Sequence, residues 1–268
     1  VMDALSKLLT NDFDIAQITM TINGISAIIL GSIIYKKHGF DGFKVIRPDL
    51  HVIRVILFLA VPYLVLKALI LLEVSEFYSV IFTTPLLLIL TSTFILKEPL
   101  NKQQLVMTLI GFSGILLSIQ GQIASNSMGI LYSLMAACLL TANTLVLRRI
   151  PTGKSPLSLS FYPAIAFTLV YGGFATSSYV IPSDPQWVIL MIAGIAVFCG
   201  QIGCVSGFTR ASTTSTVAPY HYTQMIWGIL FGYFMFNHVP STWALIGTAL
   251  IIYSGLYIAL FTKRNAEQ

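Results

Sequence analysis

Charge is what this 268-residue chain has least of: Asp, Glu, Lys and Arg together make up 9% of it, against 56% hydrophobic residues. A water-soluble domain carries about 25% charged residues, so this chain cannot coat a wet surface around a single core. Lipid is the simpler solvent, and a run of about 20 apolar residues crosses its hydrocarbon as a helix. Cysteine is scarce too. Cys138, Cys199 and Cys204 lie inside apolar runs at a spacing that matches no metal motif, and they read as small packing residues. A Walker-type phosphate loop is missing, which excludes nucleotide hydrolysis by these residues. His-Glu-x-x-His is missing as well, Asp3 is the only aspartate set within a span, and His221 has no nucleophile beside it. These absences argue against a membrane-embedded hydrolase, and no cofactor is implied.

What is present is a series of apolar runs separated by short polar breaks. They predict helical spans over about 14–35, 51–71, 75–96, 103–121, 127–148, 156–180, 186–208, 213–236 and 241–261. Residues 1–9 are too short to cross and read as the second half of a first span whose beginning is missing. The longest connection, Lys36 to Leu50, contains Gly39, Gly42 and Pro48 and is too short to house a soluble domain.

Basic residues are absent from every second connection. Lys36, Lys37, Lys44, Arg47 and Arg54 cluster between and at the edges of the second and third spans. Lys97 and Lys102, then Arg148, Arg149 and Lys154, then Arg210, and finally Lys263 and Arg264 fall on the same side. The opposite connections hold Asp12, Asp14, Glu73, Glu76 and Asp184 instead. Of 15 basic residues, 13 share one side, and only Lys7 and Lys67 remain, both within spans. The positive-inside rule places the loaded side and the C-terminus in the cytoplasm. It also explains the net charge of +5 without any nucleic-acid partner.

The alternation requires ten spans, so two sets of five lie in opposite orientations. The expected fold is an all-α membrane protein of ten transmembrane helices in two inverted five-helix repeats, residues 1–122 and 123–268, the first helix truncated. Inverted repeats around a site near the mid-membrane are the architecture of many secondary transporters. The halves share weak similarity. Thr84-Pro85, Lys97-Glu98-Pro99-Leu100 and Gly111-Phe112-Ser113-Gly114 in one answer Ala218-Pro219, Asn237-His238-Val239-Pro240, Gly247 and Ser254-Gly255 in the other.

These blocks, with the opening Asp3-Ala4-Leu5-Ser6-Lys7-Leu8-Leu9 and the run Ala218-Pro219-Tyr220-His221-Tyr222-Thr223-Gln224, resemble EamA-type members of the drug/metabolite transporter superfamily. The resemblance covers essentially the whole chain in order. It implies ten helices in two inverted halves, a central cavity, and transport of metabolites such as amino acids, riboflavin, S-adenosylmethionine or drugs. Members similar in the first-helix and ninth-helix motifs are uptake carriers, which favours uptake. One departure is Asn237-His238, where the family commonly has Gly-Glu. It removes the basis for giving a second-half glutamate a role.

Polar residues inside spans are the candidate substrate contacts, because charge there is costly, about 2.5–3.5 kcal/mol on insertion scales. Asp3 and Lys7 lie four apart on one helical face and form either a wall of the cavity or a structural ion pair. Lys67 either snorkels to the outer surface, meets Glu73 or Glu76, or contacts a carboxylate or phosphate. Pro62-Tyr63, one turn earlier, is placed to kink the third span and free backbone carbonyls. His221, beside Tyr220, Tyr222 and Gln224 with Trp227 further along, is a dense polar and aromatic group in an apolar span. It is either a cargo contact, a proton-coupling group or a neutral imidazole held by a neighbour. Tyr222 and Trp227 either stack on a planar ligand or pack against neighbouring helices, the commoner role of aromatics at helical spacing. Thr83, Thr84, Asn143, Tyr162 and Gln201 either line the site or hydrogen-bond between helices. Gly203/Gly207 and Gly228/Gly232 are small-xxx-small pairs suited to close helix crossings.

The leading function is therefore a secondary transporter that moves a small metabolite across the plasma membrane, the bacterial inner membrane, by alternating access. A drug or amino-acid exporter of the same fold, a channel and a membrane-embedded enzyme are the competing readings. The partners are the metabolite and the lipid bilayer, and two copies could assemble as a homodimer.

Overall fold

The computed structural model describes residues 2–97, 102–118, 126–151, 153, 155–175, 179–210, 217, 223–236 and 241–266; the side chains of 75, 223–226, 228, 236 and 259–266 lie outside what it describes. The chain forms α1 (Met2–Leu9), α2 (Ile15–His38), α3 (Pro48–Leu59), α4 (Val61–Leu71), α5 (Val74–Ile81) and α6 (Thr83–Ile95). It continues through α7 (Lys102–Ser118), α8 (Ser127–Arg149), α9 (Ser158–Ala175), α10 (Asp184–Arg210), α11 (Thr223–Phe236) and α12 (Thr242–Ala266). Among the described residues, six stretches are long and apolar enough to cross a membrane: Ile15–Phe43, Pro48–Leu71, Glu76–Ile95, Ser127–Arg149, Ser158–Ala175 and Asp184–Arg210. Lys102–Leu117 and Thr242–Ile258 are shorter apolar helices. All eight coincide with runs expected from hydropathy.

Local chemistry explains where the helices start, stop and break. The Asp14 carboxylate accepts from the Ile15 N–H at 2.7 Å and caps α2, whose last turn carries Lys36, Lys37 and His38. Those cations suit the negative end of the helix dipole. Gly39 then ends the helix at φ +59°, a conformation that glycine takes without steric cost. Pro62 has no N–H, and the stretch Pro48–Leu71 breaks at Ala60 into α3 and α4, as the sequence suggested. Pro85 has the same effect upstream, where α5 gives way to α6 at Phe82. The Thr83 hydroxyl there donates to the Val80 carbonyl at 2.7 Å.

The chain divides into two compact units, 1–66 with 146–210, and 67–145 with 211–268. Each draws helices from both halves of the sequence. In the first unit the most extensive pairing joins α2 to α9. A Cβ on Gly24 would sit 3.4 Å from the Thr168 side chain, and one on Gly31 would sit 3.0 Å from Phe161. The partner number falls as the glycine number rises, so the two helices are antiparallel. Ala27, Leu30 and Ala164 form the buried seam, with Leu157, Phe161, Ile165, Phe198 and Ile202 around it. On α10, a Cβ at Gly194 would meet Ile25 of α2 at 2.8 Å. The buried Gln17 exchanges two hydrogen bonds with the backbone of Val180, at 2.5 and 3.0 Å.

In the second unit the dominant pairing joins α7 to α12. A Cβ at Gly114 would lie 2.7 Å from the Gly247 carbonyl oxygen, and one at Gly111 would lie 2.8 Å from Ser254 Oγ. This pair is antiparallel by the same test. Glycine here lets two backbones approach in the way membrane helices favour. The expected glycine pairs differ. A Cβ at Gly203 or Gly232 would meet nothing within 4 Å, so neither marks a close crossing among the described residues. Their spacing is common in apolar helices, and only the helix face presented to a neighbour gives it meaning.

Gly114→Ala should therefore destabilise the protein by about 1–3 kcal/mol, since overpacking has that cost. Gly203→Ala should leave stability unchanged. Melting in detergent, followed by circular dichroism, distinguishes them.

Candidate functional site

The break between α3 and α4 opens a cleft of about 480 Å³ in the first unit, lined by Asp14, Ala16, Leu59, Tyr63, Tyr171 and Phe174 among others. The Tyr171 hydroxyl donates to the Leu59 carbonyl at 2.6 Å. That bond satisfies a carbonyl at the break, and it leaves the Tyr171 ring as a wall. The Tyr63 ring is half exposed at 45%. Two tyrosine rings and a phenylalanine beside one carboxylate suit a ligand with a flat or cationic part.

Toward the lysine- and arginine-rich end of the same unit lies a second polar group. His51 and Arg54, three apart on α3, share one helical face and are both buried, at 6% and 4% exposure. Arg54 Nη1 donates to the Leu159 carbonyl, while its Nε has no acceptor. Among the described residues no carboxylate pairs with it. The Cys204 thiol lies beside it. The His51 ring meets the Tyr162 ring edge-on with centroids 5.7 Å apart, and its Nδ1 has no partner. Tyr162 donates its hydroxyl to the Phe43 carbonyl at 2.5 Å. The Ser160 hydroxyl donates to the Gln201 backbone carbonyl at 3.4 Å, and the buried side-chain oxygen Oε1 of Gln201 is unpartnered. Arg148 Nη1 donates to the Phe208 carbonyl at 2.8 Å, tying the end of α8 to the end of α10. A buried polar group left without a partner costs about 1–3 kcal/mol, and a charged one more, so this concentration of orphaned atoms is chemically significant.

The residues expected to contact substrate are distributed as follows. Tyr63 lines the cleft, and Gln201 belongs to the buried polar group. Asp3 and Lys7 are half-buried on α1 with partners of their own, and Thr10 donates to the Lys7 carbonyl at 2.6 Å. In the second unit, Lys67 is half-buried and partnered. Glu76 accepts from the Glu73 N–H at 3.0 Å, so that carboxylate caps α5. Thr84 and Asn143 leave Oγ1 and Oδ1 buried and unpartnered, and Thr141 Oγ1 approaches the Thr84 carbonyl at 3.5 Å. Trp227 is 55% exposed and stacks on Phe231 with centroids 6.1 Å apart. His221 and Tyr222 lie outside the described residues, as does the Gln224 side chain.

Asp14, His51, Arg54, Tyr171 and Phe174 belong to these groups and are not among the expected contacts. Arg54 was absorbed into the charge pattern that sets orientation, although it lies a turn inside its span. The His51–Arg54 spacing was the available signal. Tyr171 gave none, because an aromatic residue in an apolar helix reads as packing.

The description of the EamA-like transporter family matches residues 1–120 and 127–260. An S-adenosylmethionine uptake transporter of Rickettsia prowazekii is 26% identical over 268 residues, covering 99% of this chain and 90% of that protein. A similar protein of the same name from Rickettsia conorii is 25% identical, covering 98% and 88%. A riboflavin transporter of Brucella anthropi is 25% identical, covering 81% of this chain and 80% of its own length. A crystal structure of another protein shares the fold with a TM-score of 0.74 at 18% identity, over 100% of this chain and 95% of that one.

Tyr171→Phe removes the hydroxyl that satisfies the Leu59 carbonyl. It should cost about 1–3 kcal/mol, measured as a lower melting midpoint in detergent, while Tyr162→Phe should act through the Phe43 turn instead and leave the cleft intact.

Proposed function

The chain belongs to the EamA-like transporter family, within the drug/metabolite transporter superfamily, and we propose that it is a secondary carrier for uptake of S-adenosylmethionine or a close analogue. It is a multi-pass membrane protein of a transporter family, not an enzyme. The observation that carries the cargo reading is the end-to-end alignment with S-adenosylmethionine uptake transporters, which leaves little of either chain unmatched.

The mechanism proposed is alternating access by two inverted five-helix halves, 1–122 and 123–268, with ten spans in all. The helix pairings support it. Counting the spans expected from the sequence, α2 and α9 are spans two and seven, and α7 and α12 are spans five and ten. Each pair is five apart and antiparallel. A two-fold axis in the membrane plane relates spans in this way, since an odd offset reverses direction. Half-sites related by such an axis can open to the two sides in turn.

The cleft chemistry agrees with the cargo. S-adenosylmethionine carries a flat adenine and a cationic sulfonium. Tyr63, Tyr171 and Phe174 offer aromatic faces, and Asp14 offers a negative charge. Asp3, Lys7, Lys67, Thr84, Asn143, Gln201, His221, Tyr222, Gln224 and Trp227 complete the proposed set of contacts. The carrier sits in the bacterial inner membrane with its C-terminus in the cytoplasm.

Two measurements test this reading. Proteoliposomes preloaded with S-adenosylmethionine should accumulate labelled S-adenosylmethionine by counterflow, saturably; counterflow with riboflavin alone would move the assignment to the riboflavin carriers. A C-terminal green fluorescent protein fusion should fluoresce and an alkaline phosphatase fusion should be inactive; the reverse result would invert the topology.

A further inference from the structure

We infer that Arg54 is the carboxylate-binding residue of the carrier, and that its free guanidinium edge, with Gln201 beside it, takes the α-amino-acid group of the cargo. This rests on the carrier reading and adds a residue and a ligand group to it. A guanidinium presents two side-by-side edges to a planar anion. At Arg54, Nη1 is committed to the Leu159 carbonyl, and the buried Nε has no acceptor among the described residues. The Nε edge is one that a carboxylate takes bidentately, through two parallel charge-assisted bonds. The side chain is 4% exposed, and the bond to Leu159 of α9 fixes its direction. A buried cation with an unpartnered Nε and no carboxylate partner among the described residues is unfavourable until an anion arrives. The differential gain on binding is correspondingly large.

The surroundings fit an amino acid better than a bare anion. Gln201 follows on α10, held against Ser160, which is the residue after Leu159. Its buried Oε1 lacks a donor and can accept from an α-ammonium. Cys204 lies one turn further along α10, near Arg54. One buried guanidinium matches the single carboxylate of a zwitterionic head better than it matches a dianion. Intramembrane ionisable residues that face protein rather than lipid are functional by default.

The test compares S-adenosylmethionine with its decarboxylated form, which keeps the adenine and sulfonium and lacks the carboxylate. Purified wild-type protein should bind the carboxylated ligand about 10–100-fold more tightly, the range expected for hydrogen bonds to a charged group. Arg54→Gln should lower the affinity for S-adenosylmethionine to that of the decarboxylated form, without changing the latter. Arg54→Lys keeps the charge, loses the fork and should fall between. Equal affinity of wild type for the two ligands overturns the proposal, as does an Arg54→Gln effect that is the same for both. Where wild type binds neither, the cargo reading fails, and methionine against 3-(methylthio)propylamine then tests Arg54 independently: stabilisation by methionine alone, lost in Arg54→Gln, upholds it, and none overturns it. Phosphatidylglycerol stabilising wild type but not Arg54→Gln, with no carboxylate preference, assigns the edge to lipid phosphate and overturns the proposal.

Discussion

Inside hydrocarbon there is no water to accept or donate a hydrogen bond, so every backbone carbonyl freed by a helix break and every buried cation must be answered by the protein. The first unit shows how this chain answers. Tyr171 donates to the carbonyl of Leu59, Tyr162 to that of Phe43, Arg148 to that of Phe208, and Arg54 to that of Leu159. Each bond joins a side chain on one helix to a backbone group on another segment. They fasten α9 to α3 and to the turn after α2, and the end of α8 to the end of α10. Among the described residues of this unit, buried atoms of Ser6, Thr19, Ser26, His51, Arg54, Ser155 and Gln201 remain unpartnered, and Arg54 is the cation among them.

The proposed alternating access would call for such an arrangement, because side-chain to backbone bonds within a unit let helices keep their own geometry while their ends change partners. Glycine gives the complementary property where two helices run against each other. At Gly114 the facing backbone comes so near that no side chain fits, and at Gly24 and Gly31 the partner side chains fill the room that glycine leaves. Close antiparallel pairs of this sort, one in each unit, give each unit a rigid spine. Around the first spine lie an aromatic cleft with one carboxylate and, nearer the basic end, a cation with an open edge. An aromatic ring system, a sulfonium and an amino acid are the three parts of S-adenosylmethionine, the cargo proposed above, and the described residues of the first unit hold chemistry suited to each.

Much of this was legible in the sequence. Hydropathy placed the described helices to within a few residues, because in lipid the length of an apolar run sets the span and little else competes. Pro62 announced the break at Ala60, because proline lacks the donor that the helix requires. Charge alternation ordered the connections. Other features were hidden for a shared reason: they depend on which helix faces which, and an apolar helix surrounded by lipid and by apolar neighbours carries no amphipathic stripe to reveal it. Gly203 and Gly232 fit a packing motif, yet a Cβ on either would meet nothing within 4 Å among the described residues, while Gly111 and Gly114 do the packing. Arg54 looked like one more topological charge until its burial set it apart from Lys36, Lys37 and Lys44.

Counted as the sequence predicts them, spans five apart pair antiparallel within each unit, and the proposed inverted repeat requires that pairing. With Cys138, Cys199 and Cys204 replaced by serine, cysteines introduced at Gly24 and Thr168 should form a disulfide in native membranes under mild oxidation, because a Cβ at Gly24 would lie 3.4 Å from the Thr168 side chain. Cysteines at Gly24 and Phe161, neighbours only if the helices ran parallel or in another register, should stay reduced. Cross-linking of the second pair and not the first would contradict the account.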